Sequence, residues 1–261
     1  MTSPHVDLDE ASLEIVGRIR AASNATFRAR IGDVDVVYKP VAGENPLWDF
    51  PDGTLAGREV ASYLVSEALG WGIVPRTWLR DGPMGPGMVQ LWQEIDGAQS
   101  PVDVVPTVEV PKDGVRAVLE GVDEDDRPVA LVHEDSAALR RMAVFDAVVN
   151  NADRKGGHVL PLADGRRLGV DHGVTFHVEP KLRTVLWGWV GASLDADELD
   201  GVTQLRADLG TDLDGDLGRR LSGLLSDDEV SALAARCYQL LRTARFPHPE
   251  AGMPPVPWPL F

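Results

Sequence analysis

Two short runs, "NNADRKGGHVL" at 150–160 and "LGVDHGVTFH" at 168–177, hold the side chains of this sequence best suited to chemistry. Asp153, Arg154, Lys155, two glycines and His158 are nearly consecutive, and an Asp-His-Gly returns at 171–173. Carboxylates and imidazoles move protons and bind divalent cations, so the question is whether the two runs face each other. Asp164-Gly165 reads as a two-residue hairpin turn between "VLPL" and "RLGV". With that pair at the centre, His158 and Asp171 fall opposite each other at the open end, Cβ atoms about 5 Å apart on one face. Two potential metal ligands are thereby converged, and Pro161 in the first arm suits an edge strand or a bulge. Asp153 lies in the loop that ends an apolar helix and reaches the same mouth, where it could orient a hydroxyl or accept its proton.

The elements that must position these groups are legible in outline. Residues 27–39, "FRARIGDVDVVYK", read as two strands around Gly32-Asp33, with Lys39 ending the second. Residues 57–69 carry Val60, Tyr63, Leu64 and Ala68 at helical spacing and stop at Gly70, which places Glu59 to hold the Lys39 ammonium. "IVPRTWLRDGPMGPGMVQLWQE" is strand, turn, strand, so residues 1–95 form a small antiparallel sheet with one helix. Residues 97–114 are rich in proline and turn formers and read as a connection, followed by a hairpin of "VRAVLEG" and "PVALVH". Beyond it the pattern is mainly helical: "SAALRRMAVFDAVVNN" has a broad apolar face, and Ser226 with Glu229 forms a capping box. The proline-rich tail from 246 reads as an extended strap packed by Phe246, Trp258 and Phe261. A lysine cradled by glutamate, two metal ligands and a loop aspartate are the parts needed for phosphoryl transfer from a nucleotide.

"NADRKGGHVL" followed by "VDHGVTF" resembles the catalytic and metal-binding loops of the phosphatidylinositol 3- and 4-kinase superfamily, particularly its short actinobacterial members. "VVYKP" is similar to its ATP-lysine strand, "GREVASYLVSEALG" to its glutamate helix, and "MVQLWQEID" to the strand entering its adenine hinge, so the resemblance spans roughly residues 20–190. It implies a two-lobed α+β kinase-like fold: a small antiparallel sheet plus helix in 1–95, and a mainly helical lobe in 96–261. It also implies ATP as substrate with Mg²⁺ or Mn²⁺. Lys39 would contact the α/β-phosphates and Glu59 would pair with it. Trp92, Gln93, Glu94 and Ile95 would receive adenine on main-chain groups. Asp153 would be the catalytic aspartate and Asp171 the chief metal ligand. Two positions depart from the family: His158 stands where asparagine is usual, and "AASNATF" lacks a glycine triplet, leaving amides and hydroxyls around Ser23, Asn24 and Thr26 to cover the phosphates. An ordinary imidazole at 158 would favour Mn²⁺ and would lose the metal as it protonates below about pH 6.

Composition narrows the alternatives. The 261 residues carry 25 Lys and Arg against 41 Asp and Glu, a formal net charge of −16 that repels nucleic acid and anionic membranes. No run is apolar enough to span a bilayer and the first residues are acidic, so a cytoplasmic protein without stable membrane insertion is expected. Cys237 is the single cysteine, which excludes an internal disulfide and a cysteine-built zinc site. Two further readings compete with the kinase: a nucleotide-binding module without turnover, and a metal-dependent hydrolase using His158, His172 and His177. The phosphoryl acceptor is left open among protein side chain, small metabolite and inositol lipid.

Overall fold

Apolar alternation along residues 27–40 produces an antiparallel hairpin of β2 (Phe27–Ile31) and β3 (Val34–Pro40), turned at Gly32 with φ of 58°. Strands β4 (Thr77–Gly82) and β5 (Gly85–Leu91) form the second expected hairpin, and β5 pairs with β3. An edge strand not anticipated from sequence, β1 (Leu13–Arg18), completes a five-stranded sheet in the order β1-β2-β3-β5-β4. Its residues after Leu13 are exposed and it is bulged between Ile15 and Gly17, so it carries little of the period-two signature. The computed structural model describes residues 7–19, 24–45, 47, 50 and 55–261.

Helix α1 (Leu55–Ala68) begins where the Glu44 carboxylate accepts the Leu55 and Ala56 N–H groups at 3.0 and 2.9 Å, a side-chain cap from outside the helix. Ala56 and Val60 pack on Met88 of the sheet, whereas Ala61, Leu64 and Val65 join the large core of the second lobe. Wedged between the two, α1 is buried on nearly every side, and that is why Glu59 is only 2% exposed.

The chain then forms a second sheet of β6 (Val102–Pro106), β7 (Val115–Val122) and β8 (Pro128–Glu134) in the order β6-β8-β7. The β7-β8 hairpin is the expected one. Strand β6 lies inside the proline-rich segment that reads as a connection; it is an edge strand with its proline at the end, where a missing N–H is tolerated. Helices α2 (Ala137–Val149), α3 (Ala196–Leu209), α4 (Asp216–Ser222) and α5 (Asp227–Thr243) supply most of the large core, and the Ser226–Glu229 capping box is formed. The architecture is thus the two-lobed α+β one expected, with the first sheet and α1 facing a mainly helical lobe. Among the described residues no helix is long and apolar enough to cross a membrane.

Two local expectations are corrected. The tail does run as an extended strap: Phe246 is buried, the Pro255 carbonyl accepts Trp187 Nε1–H at 2.6 Å, and Leu260 O accepts the Gly156 N–H at 2.8 Å. Trp258, however, is 86% exposed and packs nothing down. The hairpin of β9 (Val159–Pro161) and β10 (Arg167–Gly169) is one residue out of the expected register, pairing Gly169 with Val159 and Arg167 with Pro161. Leu162 N–H bonds Arg166 O across a three-residue loop in which Gly165 has φ of 88°, so Asp164-Gly165 is not the central pair of a two-residue turn. His158 O therefore accepts from Val170 N–H rather than lying opposite Asp171.

Candidate active site

A one-residue slip should turn the two side chains to opposite faces. Asp171 escapes this by adopting φ of 63°, a left-handed conformation that aspartate tolerates better than most residues and that swings its carboxylate back toward His158. His158 closes a short 3₁₀ turn at Gly156–His158, and its Nε2 stands 3.4 Å from Asp171 Oδ2. The convergence read from sequence is real, but it comes from a backbone twist and not from cross-strand pairing.

The tautomer of His158 follows from its other nitrogen. Nδ1 lies 3.0 Å from the Asp153 carbonyl, which can only accept, so Nδ1 carries the hydrogen and Nε2 presents a lone pair to the Asp171 carboxylate. Burial holds the imidazole down to about 4, against the pull of Asp171 and with help from Arg154, Lys155 and Lys39. The ring therefore stays neutral far below the pH 6 expected of an ordinary imidazole. A bare nitrogen and a carboxylate oxygen facing each other form a donor set that a cation between them would satisfy. Among the described residues no group of three His, Cys, Asp or Glu side chains converges, so a cation here would draw its remaining ligands from water and a bound anion.

Lys39 reaches the same point from above. Along β3, Val36 and Tyr38 are buried in the sheet's own core while Val37 and Lys39 alternate toward the cleft. The Lys39 ammonium bonds Glu59 Oε1 at 2.6 Å and Asp171 Oδ1 at 2.7 Å, and Glu59 Oε2 accepts the His172 backbone N–H at 2.9 Å. Glu59 thus ties strand, helix and the Asp171–His172 loop together. Burial works against the ammonium, but Asp171 and Glu59 outweigh it and keep Lys39 above the ordinary lysine range. The Lys39 ammonium, opposed by burial, in turn holds Asp171 well below the usual carboxylate range.

A cleft of about 380 Å³ opens from this point toward the link between the lobes. Ile19 and Val37 wall it on the sheet side, Leu160 and Val170 on the other, and Trp92, Gln93, Glu94 and Ile95 close its far end. Asp96 N–H fastens the link to Pro161 O at 2.9 Å, and Trp92 N–H bonds Asp35 O. Gln93, Glu94 and Ile95 between them make no main-chain hydrogen bond among the described residues, so the edge of a planar heterocycle could pair there. Thr26 lines the cleft, but its hydroxyl donates inward to Asn24 O at 3.3 Å. Asn24 sits instead at the far side of Lys39, and Ser23 lies outside the described residues.

Asp153 faces away from this cleft into a second cavity of about 350 Å³, which meets the first at Asp171. Its carboxylate is half-buried and 3.4 Å from Lys155 Nζ; burial raises its proton affinity, opposed mainly by Lys155. Asp153 N–H donates to Asn151 Oδ1 at 3.0 Å, which orients the loop.

Sequence reasoning missed what holds this loop. Arg154, which would ordinarily be a surface residue, is fully buried. Its Nε and Nη2 grip the buried Asp146 of α2 at 2.8–3.1 Å, Nη1 donates to the His158 and Val170 carbonyls at 3.3 Å, and Nη2 donates to His172 Nε2 at 2.7 Å. One guanidinium therefore joins α2, the loop that carries Asp153 and the loop that carries Asp171. A side chain at 169 would put its Cβ 3.0 Å from that guanidinium, so glycine makes the room. Asn151 Nδ2 and Thr184 Oγ1 complete the shell of Asp146 at 2.9 and 3.2 Å. Asn150, left-handed at φ of 53°, bonds the carbonyls of His177 and Glu179 with its side-chain amide. The readable clue was a lone aspartate inside the apolar face of α2, because a buried carboxylate demands a partner.

The three histidines of the hydrolase reading do not converge. His172 is fully buried beside Arg154 and edge-on to Phe145, its proton affinity far reduced by burial and then by Arg154, and His177 Nδ1 accepts the Glu179 N–H.

No family model matches the chain. Protein Rv2133c of Mycobacterium tuberculosis is 48% identical over 269 residues, covering 98% of this chain and 95% of that protein. The crystal structure of the Helicobacter pylori proinflammatory kinase CtkA aligns over 93% of this chain and 95% of its own, with a TM-score of 0.46 and 11% identity, too distant a likeness to argue from. At nearly half identity over almost the full length of both proteins, this chain belongs to the same family as Rv2133c.

Proposed function

We propose that the protein is an ATP- and divalent-metal-dependent kinase, of the phosphatidylinositol 3-/4-kinase-like type, that transfers the γ-phosphoryl group to a hydroxyl. The observation that carries this reading is the Lys39 ammonium, held between Glu59 and Asp171 where a heterocycle-sized cleft and a second cavity meet. Adenine would pair with the main chain of Gln93 to Ile95, and Lys39 would offset charge on the phosphates. Asp171 and the His158 Nε2 lone pair would hold a Mg²⁺ or Mn²⁺ ion, whose contribution is to neutralise charge developing on the phosphate oxygens. Asp153 faces the opposite cavity, so an acceptor hydroxyl there would lie on the far side of the γ-phosphorus from the adenine end. As the acceptor oxygen bonds to phosphorus, the bond from phosphorus to the β-phosphate oxygen breaks, ADP departs with that electron pair, and Asp153 takes the hydroxyl proton. Its raised proton affinity suits it to this role.

Two measurements test the proposal. ATP with Mg²⁺ or Mn²⁺ should raise the unfolding temperature, and label from γ-labelled ATP should pass to an acceptor in a manner abolished by Asp153→Asn. Absence of nucleotide-dependent stabilisation would overturn the nucleotide site. Stabilisation without label transfer to any hydroxyl would leave a binding module without turnover.

A further inference from the structure

We infer that the second cavity receives a small acceptor alcohol bearing an anionic group, phosphate or carboxylate, and that Arg183 binds that group. This rests on the kinase reading and adds the class of its acceptor. The cavity is lined by Asn24, Asn45, Asp153, Asp171 and Arg183, with Leu47, Phe50 and Leu55 as its apolar part. At about 350 Å³ it suits a compact polyol or hydroxy acid rather than a folded protein surface.

Arg183 differs from the other cations around the site. Arg154 is committed to Asp146, Arg58 to Glu229 at 2.5 Å, Lys155 to Asp153, and Lys39 to Glu59 and Asp171. The Arg183 side chain makes no hydrogen bond or ion pair with any described residue, and its Nε is enclosed without an acceptor. Its charge is felt by the nearby Asp153 carboxylate, whose proton affinity it helps to lower, yet no carboxylate of a described residue lies within ion-pair distance of it. Its backbone is nevertheless fixed. Arg183 N–H donates to Asn151 O at 2.9 Å, and Arg183 O accepts from Arg154 N–H at 3.0 Å, so its Cα is tied to the residues on either side of Asp153.

The electrostatics require this arrangement if the acceptor is charged. Asp153 and Asp171 would repel an anion entering the cavity, and a planar fork of donors within the same wall offsets that repulsion and binds phosphate or carboxylate in a bidentate manner. The hydroxyl end of such a molecule is then directed to Asp153 and its anionic end to Arg183. Asn24 and Asn45 add to the polar wall, where Asn24 Oδ1 accepts the Asn45 N–H at 2.9 Å.

The test is calorimetric titration of the full chain loaded with Mg²⁺ and a non-hydrolysable ATP analogue, using glycerol 3-phosphate, glycerate and glycerol as probes. Loading occupies the phosphate position near Lys39, so a second anion reports on the other cavity. Both anions should bind one to one, and glycerol should bind more weakly by about tenfold or more, the scale of a charged hydrogen-bonded contact. Arg183→Gln should weaken both anions by a similar factor, and Arg183→Lys, which keeps the charge but loses the fork, should lose less. If the analogue itself fails to bind the wild-type protein, the kinase reading falls and this inference with it. If the analogue binds but neither anion does, if glycerol binds as tightly as glycerol 3-phosphate, or if both arginine variants bind the anions as the wild type does, the acceptor class is wrong. Binding confined to vesicles containing phosphatidylinositol would likewise overturn it in favour of a lipid headgroup.

Discussion

Replacing Arg154 by methionine should cost more stability than any other single change near the site. The side chain is fully buried and contacts a fully buried Asp146, so the substitution leaves an uncompensated carboxylate in the interior. Breaking a buried pair from one side costs about 3–5 kcal/mol. The Asn151 and Thr184 donors that remain on Asp146 place the expected value toward the lower half of that range. The His158 and Val170 carbonyls and His172 Nε2 lose their donor as well, which adds to the cost. For a chain of this length each kcal/mol shifts the midpoint by about 2–4 °C, giving a fall in Tm of roughly 10 °C. Urea unfolding of the wild type, Arg154→Met, Asp146→Leu and the double variant supplies a double-mutant cycle. The double variant should recover at least about 2 kcal/mol relative to the sum of the singles, because an apolar pair of similar volume carries no stranded charge. A loss below about 1 kcal/mol in Arg154→Met, or strictly additive singles, would refute the view that one guanidinium fastens the two loops to α2.

The other expectations are these. Lys39→Met should weaken ATP affinity or turnover and should also destabilise the fold by about 3 kcal/mol, since Glu59 is left buried without its cation; nucleotide titration and urea unfolding check the two effects separately. Asp153→Asn should keep nucleotide and metal affinity but lose transfer by about two powers of ten, whereas Asp171→Ala should lose metal-supported nucleotide binding; equal defects in the two would reverse their roles. His158→Asn should move the preference from Mn²⁺ toward Mg²⁺, because an amide oxygen is a harder donor than imidazole nitrogen, and an unchanged metal-dependence curve would remove His158 from the site. Acid should destabilise the protein through His133, whose Nδ1–H donates to Glu134 O while Nε2 accepts the Gly188 N–H, with burial lowering its proton affinity. Below about pH 6.5 the unfolded ring takes up a proton that the folded ring refuses, so stability falls as pH falls through that value. Urea midpoints for wild type and His133→Gln should diverge between neutral pH and pH 5, and parallel curves would exclude His133.

The parts legible in the sequence were those written in local periodicity or in residue chemistry. The hairpins of the first sheet, the stripe of α2 and the capped start of α5 each satisfy a short-range rule, and each formed where the rule places it. Strand β1 was not legible because five of its six residues face solvent, and β6 because the prolines of the surrounding segment 97–114 resemble a linker when the strand's place at a sheet edge is unknown. The Lys39–Glu59 pair was legible from residue type and order. That Glu59 would be buried was not, since it depends on α1 being wedged between two cores. Arg154 and Arg183 mark the limit most clearly. They stand in similar polar loops, yet one is wholly enclosed by a carboxylate and three acceptors, and the other is left at the rim of a cavity with no side-chain hydrogen bond to any described residue.

His158 and Asp171 show why the candidate site could be found from a premise that was partly wrong. The expected two-residue turn would have delivered both side chains to one face by strand pairing alone. The three-residue loop shifts the pairing by one, which by itself would separate them, and the left-handed backbone of Asp171 restores the meeting. Such a backbone costs every residue but glycine something, aspartate and asparagine less than most, so at Asp171 the remaining cost must be met by what the carboxylate gains. That gain is visible in the Lys39 ammonium at 2.7 Å and, on the proposed reading, would grow when a cation settles between Oδ2 and the His158 lone pair. Asp171→Ala would then retain the strained φ without its compensation, and Asp171→Gly would release it. The glycine variant should therefore be the more stable of the two on this account, while both lose metal-supported nucleotide binding to the same extent. Differential binding between them would mean that backbone geometry, and not the carboxylate, is what the site requires of residue 171.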